Sequence, residues 1–304
     1  MIAKALRCVR DPSSIPRVAA RLLNCRILPA CERQISLAAG NLAQRPPTFI
    51  IGPPRCGSTL AIQVFTEALD VGFISNAHAD WFGSPAAAEL VLRWTRRRVP
   101  STFQSDLGRT EGRHSPSECP AWWYRFFPRQ PNYVGPGVVD DAMLAQFRRS
   151  VMALTAAWGR PLIFKNLYAS LRIHPIFRSM PESLFVIIRR NEEDVARSLL
   201  AARMSEHGTE DRWLSIEPRN IDALRGLPPR LQVRGQVRSI YESIDEDLKG
   251  AQVPPQRVLE FEYESLCSNP RNCAESLRAR LSELGVHVDL RPVDWLGWHK
   301  LLSR

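Results

Sequence analysis

The sequence predicts an α/β protein with a P-loop-like, three-layer fold around a central, mainly parallel β-sheet. Three observations support this prediction. Short apolar runs typical of buried strands alternate with amphipathic segments typical of helices, and no hairpin signals separate them. A glycine-rich turn and a helix start follow the first apolar run, as at phosphate-binding loops. The chain has 304 residues with 44% apolar and 24% charged content, enough to bury a large core.

The glycine-rich turn is the most informative segment. The apolar run 49–51 predicts a buried strand, and Ser58 begins an amphipathic helix. Between them, the turn 52–57 has almost the glycine spacing of a nucleotide P-loop, but Ser58 occupies the position of the P-loop lysine. The cation lies inside the turn instead, as Arg55. Because backbone N–H groups and the helix dipole converge at such a turn, it predicts a site for a phosphate-like anion.

The rest of the chain continues the alternation of strands and helices. Predicted helices cover 140–158, 171–180, 191–204, 231–249 and 270–284, and predicted strands cover 161–164, 184–188 and 257–261. Ligands of such sheets bind beyond the carboxyl ends of the strands. This rule places five side chains on one rim of the sheet: Arg55, Lys165, Asn166, Arg189 and Arg190.

The expected organisation is one large domain with an extension and an insert. Residues 1–46 are predicted to be an N-terminal extension with helical patches at 18–23 and 35–42, and 47–304 to form the α/β domain. Within the domain, 71–139 is predicted to be an irregular insert rich in large aromatic residues. Such a segment either covers or binds a substrate, or its aromatic side chains anchor a loop to the core. The sequence leaves both interpretations open.

Composition limits the classes of binding partner and the cellular compartment that the sequence predicts. The net charge of +10 comes mainly from arginine, with only four lysines among 41 basic residues, and the run Arg96-Arg97-Arg98 belongs to no recognisable nucleic-acid module. We therefore predict a small, multiply anionic ligand and no nucleic acid. No apolar run approaches the roughly 20 residues of a membrane span. The seven cysteines are scattered, which favours reduced thiols in the cytoplasm and predicts neither disulfides nor a metal site.

A second informative segment runs from Arg190 to Ser198. Arg190 follows a predicted strand, and Ser198 lies about two turns into the next helix, so both can reach one anionic group. A kinase would also need a magnesium-binding aspartate at a neighbouring strand end. The two central strands end in Lys165-Asn166 and in Arg189-Arg190 instead. A site of cations and backbone alone suits a transferred group with less charge than a γ-phosphoryl, such as a sulfuryl group.

These segments resemble the motifs of sulfotransferases that use 3′-phosphoadenosine 5′-phosphosulfate (PAPS). The segment 54–60, Pro-Arg-Cys-Gly-Ser-Thr-Leu, looks like the 5′-phosphosulfate loop of that family, and 185–198 looks like its 3′-phosphate motif. The segment 261–270 is similar to the stretch that usually follows, and 115–120 resembles the insert of bacterial members. The matches occur in the family's order over roughly 48–284.

The resemblance implies a reaction and a set of site residues. The reaction would be transfer of the sulfuryl group from PAPS to a hydroxyl or amine of a small-molecule, carbohydrate or lipid acceptor. Arg190 and Ser198 would hold the 3′-phosphate, and Lys165 would neutralise charge near the sulfuryl group. The remaining donor-binding residues would be those of the loop: Arg55, Cys56, Gly57, Ser58, Thr59 and Leu60.

The sequence departs from the family pattern at the general base. Many members place a histidine just after the strand-end lysine, but here Asn166 follows Lys165. The candidates for the base are Glu118 and His78, with Asp80 third, and Glu118 is favoured because it lies in the family-like segment 115–120. Two alternatives therefore stay open: a P-loop kinase, and a nucleotide-binding protein without catalytic activity.

Overall fold

A computed structural model describes residues 20–39, 45–94, 105–106 and 108–295. The strands of this part of the chain are β1 (Thr48–Ile51), β2 (Ser105–Asp106), β3 (Arg109–Thr110), β4 (Ile163–Lys165), β5 (Leu184–Arg189) and β6 (Val258–Glu262). Four of them form a sheet in the order β4-β1-β5-β6, and every neighbouring pair is parallel. The predicted α/β fold with a parallel central sheet is confirmed.

Helices flank this sheet on both faces. The α-helices of the described residues are α1 (Leu28–Ala39), α2 (Ser58–Ala68), α3 (Asn76–Ala79), α4 (Pro85–Leu92), α5 (Pro120–Trp123), α6 (Asp141–Trp158), α7 (Ile173–Ser179), α8 (Glu192–His207), α9 (Ile221–Arg225), α10 (Pro229–Gly250), α11 (Tyr263–Ser268) and α12 (Pro270–Glu283). A π-helical turn (Leu23–Ile27) precedes α1, and 3-10 turns cover Leu167–Leu171 and Pro255–Arg257.

The central strand β1 divides the core into two layers because successive strand residues point to opposite faces. Phe49 and Ile51 belong to a core cluster that includes residues of α6 and α10. Ile50 belongs to a second cluster that includes residues of α2 and α12. All four residues of β1 are buried. This strand is therefore covered on both faces, as expected for a parallel sheet.

Two predicted helical segments differ from the observed ones. The predicted helix 171–180 is α7, which begins two residues later, at Ile173, because a 3-10 turn capped by Asn166 through Tyr168 N (2.9 Å) extends to Leu171. Pro175, which has no N–H, then fits only the first turn of the new helix. In the predicted N-terminal extension, helical structure is continuous from Leu23 to Ala39 rather than confined to two patches. The part of the first patch before residue 20, and residues 40–42 of the second patch, lie outside the described residues.

The predicted insert 71–139 is less irregular than the sequence indicated. It contains α3, α4, α5 and an antiparallel hairpin, in which Ser105 pairs with Thr110 and Asp106 with Arg109. The hairpin was missed because each of its strands is only two residues long. The aromatic residues of α5 serve as anchors: Trp122 and Trp123 are fully buried, and both pack against Phe147 of α6.

We predict that two tryptophans of this insert differ sharply in their effect on stability. Trp122 is 0% exposed and donates a hydrogen bond to Ser150 Oγ (2.9 Å), whereas Trp94 is 80% exposed. Trp122→Ala should lower the free energy of unfolding by about 3–5 kcal/mol, since it empties a core position. The matched variant Trp94→Ala should change it by less than about 0.5 kcal/mol. Urea denaturation followed by circular dichroism measures both, and equal effects would contradict the anchor interpretation.

Candidate functional site

A cavity of about 790 Å³ lies beyond the carboxyl ends of β1, β4 and β5. Its walls include the residues that follow these three strands, together with parts of the insert and of α8 and α11. The predicted site residues that line it are Arg55, Gly57, Ser58, Thr59, Leu60, Glu118, Lys165 and Arg190. The parallel sheet thus brings residues more than one hundred positions apart to one site.

The loop after β1 is held in an unusual backbone conformation. Gly52 has φ +154°, Arg55 has φ +71° and Gly57 has φ +101°. Non-glycine residues rarely adopt positive φ, so the conformation of Arg55 is strained. The hydroxyl of buried Ser170 fixes the start of the loop by accepting from Gly52 N (2.9 Å) and donating to Gly52 O (3.0 Å). The loop is therefore fixed by a side chain that follows β4.

Gly57 permits a close contact between the loop and α11. A Cβ atom at this position would lie 2.3 Å from the ring of Tyr263, so no other residue fits without displacing that ring. The guanidinium of Arg190 lies over the same Tyr263 ring, 4.1 Å from its centroid. Burial, with a hydrogen bond to Cys267, raises the pKa of Tyr263, so the ring stays neutral beneath the cation.

Two predicted anion-binding residues that line the cavity, Arg55 and Arg190, contact each other, and Arg55 also contacts Ser198, which does not line it. Arg55 Nε donates to Ser198 Oγ (3.1 Å), and Arg190 Nη1 donates to the carbonyl of Arg55 (3.2 Å). Arg190 Nε is buried and has no hydrogen-bond partner among the described residues. An unpaired buried donor is costly unless a ligand binds it. The arrangement therefore suits an anionic group.

Arg189, which the sequence places on the same rim as Arg190, does not line the cavity. Its guanidinium pairs with Asp245 (2.5 Å) and Glu260 (3.0 Å), and these carboxylates raise its pKa despite partial burial. The cause is the alternation of side chains along β5, which sends Arg189 and Arg190 to different sides. Only Arg190 of this pair faces the cavity.

Lys165 and Glu118 form an ion pair on another wall of the cavity. The Lys165 side chain is almost buried at the end of β4, and Glu118 lies in the segment between β3 and α5. Asn166 supports the pair, since its Nδ2 donates to the Glu118 carbonyl (3.0 Å). Asn166 thus ties Glu118 to the strand that carries Lys165. A carboxylate and an ammonium in contact can exchange a proton with, or stabilise charge on, a bound group.

His78 and Asp80, the other candidates for the general base, do not line the cavity. His78 is buried, and both ring nitrogens have partners: Nδ1 contacts Ser75 Oγ (2.7 Å) and Nε2 contacts Glu89 (3.1 Å). This capping role explains the histidine and argues against the predicted catalytic one. Asp80 is exposed, and its carbonyl accepts a hydrogen bond from Asn24.

Two further groups near the loop are excluded as nucleophile or base. Cys56 is fully buried beneath the loop rather than on the cavity wall, and burial raises the pKa of its thiol to about 11. Tyr168 lines the cavity, but burial and a hydrogen bond with Tyr124 raise the pKa of its hydroxyl. Both groups stay protonated near neutral pH, which leaves Glu118 as the carboxylate in contact with Lys165.

The sequence did not identify several residues that shape the site. Ser170, Tyr168, Tyr263 and Gly108 all fix or line it. Tyr263 stood inside a family-like stretch, but nothing local showed that its ring packs on Gly57. Among the described residues, no group of three or more His, Cys, Asp or Glu side chains could hold a metal ion. No helix in the same residues has the length and apolarity to cross a bilayer.

The fold and site define a P-loop-like α/β protein with a cavity lined by Arg55, Lys165 and Arg190. A comparison with protein families is more specific: the profile described as "Sulfotransferase family" matches residues 46–283. Because the match covers most of the sequence, the chain belongs to the sulfotransferase family, and it is a transferase enzyme.

Solved structures support the fold. Sulfotransferase STF1 from Mycobacterium tuberculosis H37Rv is 11% identical with a TM-score of 0.54, and the alignment covers 94% of this chain and 78% of that one. Sulfotransferase STF9 from Mycobacterium avium is 13% identical with a TM-score of 0.56, covering 93% and 73%. A search of curated proteins found no match. At these identities the likeness concerns the fold alone.

We predict that Cys56 resists alkylation in the native protein. With a pKa of about 11, roughly one thiol in a thousand is ionised at pH 8. Iodoacetamide at pH 8 should modify the exposed Cys25 and Cys31 while Cys56 stays unmodified, as measured by peptide mass spectrometry. Modification of all three in guanidinium is the control. Equal native labelling of Cys56 and Cys25 would show that the thiol is accessible and ionised.

Proposed function

We propose that this enzyme transfers a sulfuryl group from PAPS to a hydroxyl or amine of a small-molecule acceptor. One observation carries the proposal: the wall of a single cavity holds two arginines, Arg55 and Arg190, and also a lysine–carboxylate pair, Lys165–Glu118. Arg55 also contacts Ser198, and Arg190 Nε has no partner among the described residues. The two arginines suit a fixed phosphate, and the lysine–carboxylate pair suits a reacting group. Family membership supports the reaction class.

The residues fit the anionic groups of this donor. Arg190, Arg55 and Ser198 would hold the 3′-phosphate, since their hydrogen-bonding groups already converge and Arg190 Nε is free. The N-terminus of α2, with Gly57, Ser58 and Thr59, would hold the 5′-phosphosulfate through backbone N–H groups and hydroxyls. Arginine suits phosphate because its planar fork donates two hydrogen bonds at once.

The lysine–carboxylate pair would carry the chemistry. The donor supplies the sulfuryl group and leaves as adenosine 3′,5′-bisphosphate. Glu118 would accept the proton of the attacking hydroxyl or amine, a role that contributes about 10²–10⁴-fold to rate. Lys165 would stabilise the negative charge that develops on the bridging oxygen. Asn166 would keep Glu118 in place, so that the base and the cation act from one rigid wall.

The alternatives are separated by nucleotide preference. A kinase would bind ATP–magnesium in preference to adenosine 3′,5′-bisphosphate. A PAPS-dependent sulfotransferase would prefer the bisphosphate, because its site holds a 3′-phosphate. A binding protein without turnover would bind the bisphosphate and transfer nothing. The compartment, for which the sequence predicts the cytoplasm, and the oligomeric state are independent of this choice.

We expect Arg190→Met to weaken binding of adenosine 3′,5′-bisphosphate by roughly 10–100-fold, since hydrogen bonds to charged groups contribute about 1.5–3 kcal/mol. The affinity for 5′-AMP, which lacks the 3′-phosphate, should stay within about threefold of wild type. The matched variant is Arg189→Met, which should leave both affinities unchanged. In the wild type, the Arg189 guanidinium pairs with Asp245 and Glu260 and does not line the cavity. Calorimetric titration measures all of these affinities.

Three results would contradict this assignment. Equal losses for the bisphosphate and 5′-AMP in Arg190→Met would mean that Arg190 does not bind the 3′-phosphate. Preference of the wild type for ATP–magnesium would favour a kinase. Binding of none of these nucleotides would overturn sulfuryl transfer from PAPS altogether.

We expect Glu118→Gln to lower kcat by about 10²–10⁴-fold, because the amide cannot accept the acceptor's proton. The bisphosphate affinity should remain within about threefold, since Glu118 is not at the phosphate cluster. Radiolabelled PAPS with a panel of phenols, alcohols, sugars and amines would identify an acceptor for this assay. The control is Asp80→Asn, an exposed carboxylate away from the cavity, which should leave kcat unchanged. Full activity of Glu118→Gln would remove Glu118 as the base.

A further inference from the structure

The β2–β3 hairpin of the insert reaches the loop that follows β1. Gly108, directly before β3, lines the cavity and has φ +88°. A Cβ atom at this position would lie 3.5 Å from Lys165 Nζ and 3.5 Å from Thr59 Oγ1. The backbone of the hairpin thus approaches two donors from different elements: Lys165 ends β4, and Thr59 lies in the first turn of α2. One is the predicted sulfuryl-neutralising cation, and the other is a hydroxyl of the predicted phosphosulfate loop.

The chain after Gly108 is fixed by several hydrogen bonds. The side-chain amide of Asn76 donates to the carbonyls of Thr110 (2.9 Å) and Gly112 (2.9 Å). Further along, Ser117 N donates to Ile74 O (2.8 Å), directly before Glu118. The segment from β3 to Glu118 is therefore held against α3 and the residues before it. We infer that the position of Gly108 is set by the same contacts that set the position of Glu118.

We propose that Gly108 is a specificity-determining residue: its missing side chain leaves the volume in which the sulfuryl group of the donor binds. This inference rests on the function proposed above. An oxygen atom that accepts hydrogen bonds from both Lys165 Nζ and Thr59 Oγ1 must lie between them. A methyl group on Gly108 would lie in contact with the same two atoms and would compete for that space.

The proposal makes Gly108 distinguish the loaded donor from the spent one. PAPS and adenosine 3′,5′-bisphosphate share both phosphate positions and differ only in the sulfuryl group. The bisphosphate leaves the space beside Gly108 empty, whereas PAPS fills it. A side chain at position 108 should therefore act on donor binding and turnover, and hardly on binding of the product.

The direct test is Gly108→Ala, titrated with PAPS and with the bisphosphate. We expect PAPS to bind at least tenfold more weakly than to wild type, and the bisphosphate to bind within twofold. The matched control is Gly137→Ala. Gly137 has φ +76°, and a Cβ atom there meets nothing within 4 Å among the described residues. The variant Gly137→Ala therefore introduces comparable backbone strain, but its methyl group contacts no other side chain in the described part of the chain. It should leave the affinities for PAPS and for the bisphosphate unchanged.

Two outcomes of this titration overturn the role of Gly108 alone. One is unchanged affinity of Gly108→Ala for both nucleotides, and the other is an equal loss for both, which would mean that the hairpin disturbs the whole loop. Failure of the wild type to bind either nucleotide is distinguishable from these, because it overturns the proposed donor and this inference together.

A second measurement needs no variant and covers the case in which Gly108→Ala is unstable. Hydrogen–deuterium exchange of the wild type is followed for peptides spanning 105–112, free and with each nucleotide. We expect saturating PAPS to slow exchange there at least threefold, and the bisphosphate to leave it unchanged. Peptides spanning 57–60 should be protected by both nucleotides. Equal protection of 105–112 by the two nucleotides, or protection by neither, would overturn the proposal.

Discussion

The central position of β1 in the parallel sheet is the constraint on which the site depends. β1 pairs with β4 on one side and β5 on the other, with Ile50 beside Lys165 and Ile51 beside Ile187. The three strands therefore end at one edge, where they deliver the glycine-rich loop, Lys165 and Arg190. The Ser170 hydroxyl adds a direct link, because it bonds both backbone polar groups of Gly52. Any shift of register would separate the loop, Lys165 and Arg190.

Much of this architecture could be predicted because it is encoded in local patterns. The buried strands are short apolar runs, and the helices of the second half carry clear periodicity and caps, as with Asn191 before α8. The short elements of the insert could not be predicted. The hairpin strands have two residues each, and α3 and α5 have four each, too few for a period to show. Their positions depend on tertiary contacts such as those of Asn76 and Trp122.

The candidate site was predictable to the extent that its residues sit in the loop or at strand ends. Arg55, Thr59, Lys165 and Arg190 all line the cavity. The partners of these residues could not be predicted, because each partner comes from a distant segment. No local signal shows that Glu118 reaches Lys165, or that His78 is instead held by Ser75 and Glu89. Such pairs form only when the fold brings distant segments together, so the local sequence does not show them.

The contrast between Arg189 and Arg190 shows how a basic protein can keep a selective site. Carboxylates neutralise Arg189, which fixes β6 and α10 to the end of β5. The Arg190 guanidinium contacts two neutral groups, the Arg55 carbonyl and the Tyr263 ring, and its Nε has no hydrogen-bond partner among the described residues. Such a site costs stability in the absence of an anion, because desolvation of a cation is not offset by a nearby opposite charge. The same desolvation strengthens the attraction when an anion binds. The proposed preference for a phosphate-bearing ligand therefore rests on the absence of an ion pair at Arg190 among the described residues, rather than on the net charge of +10.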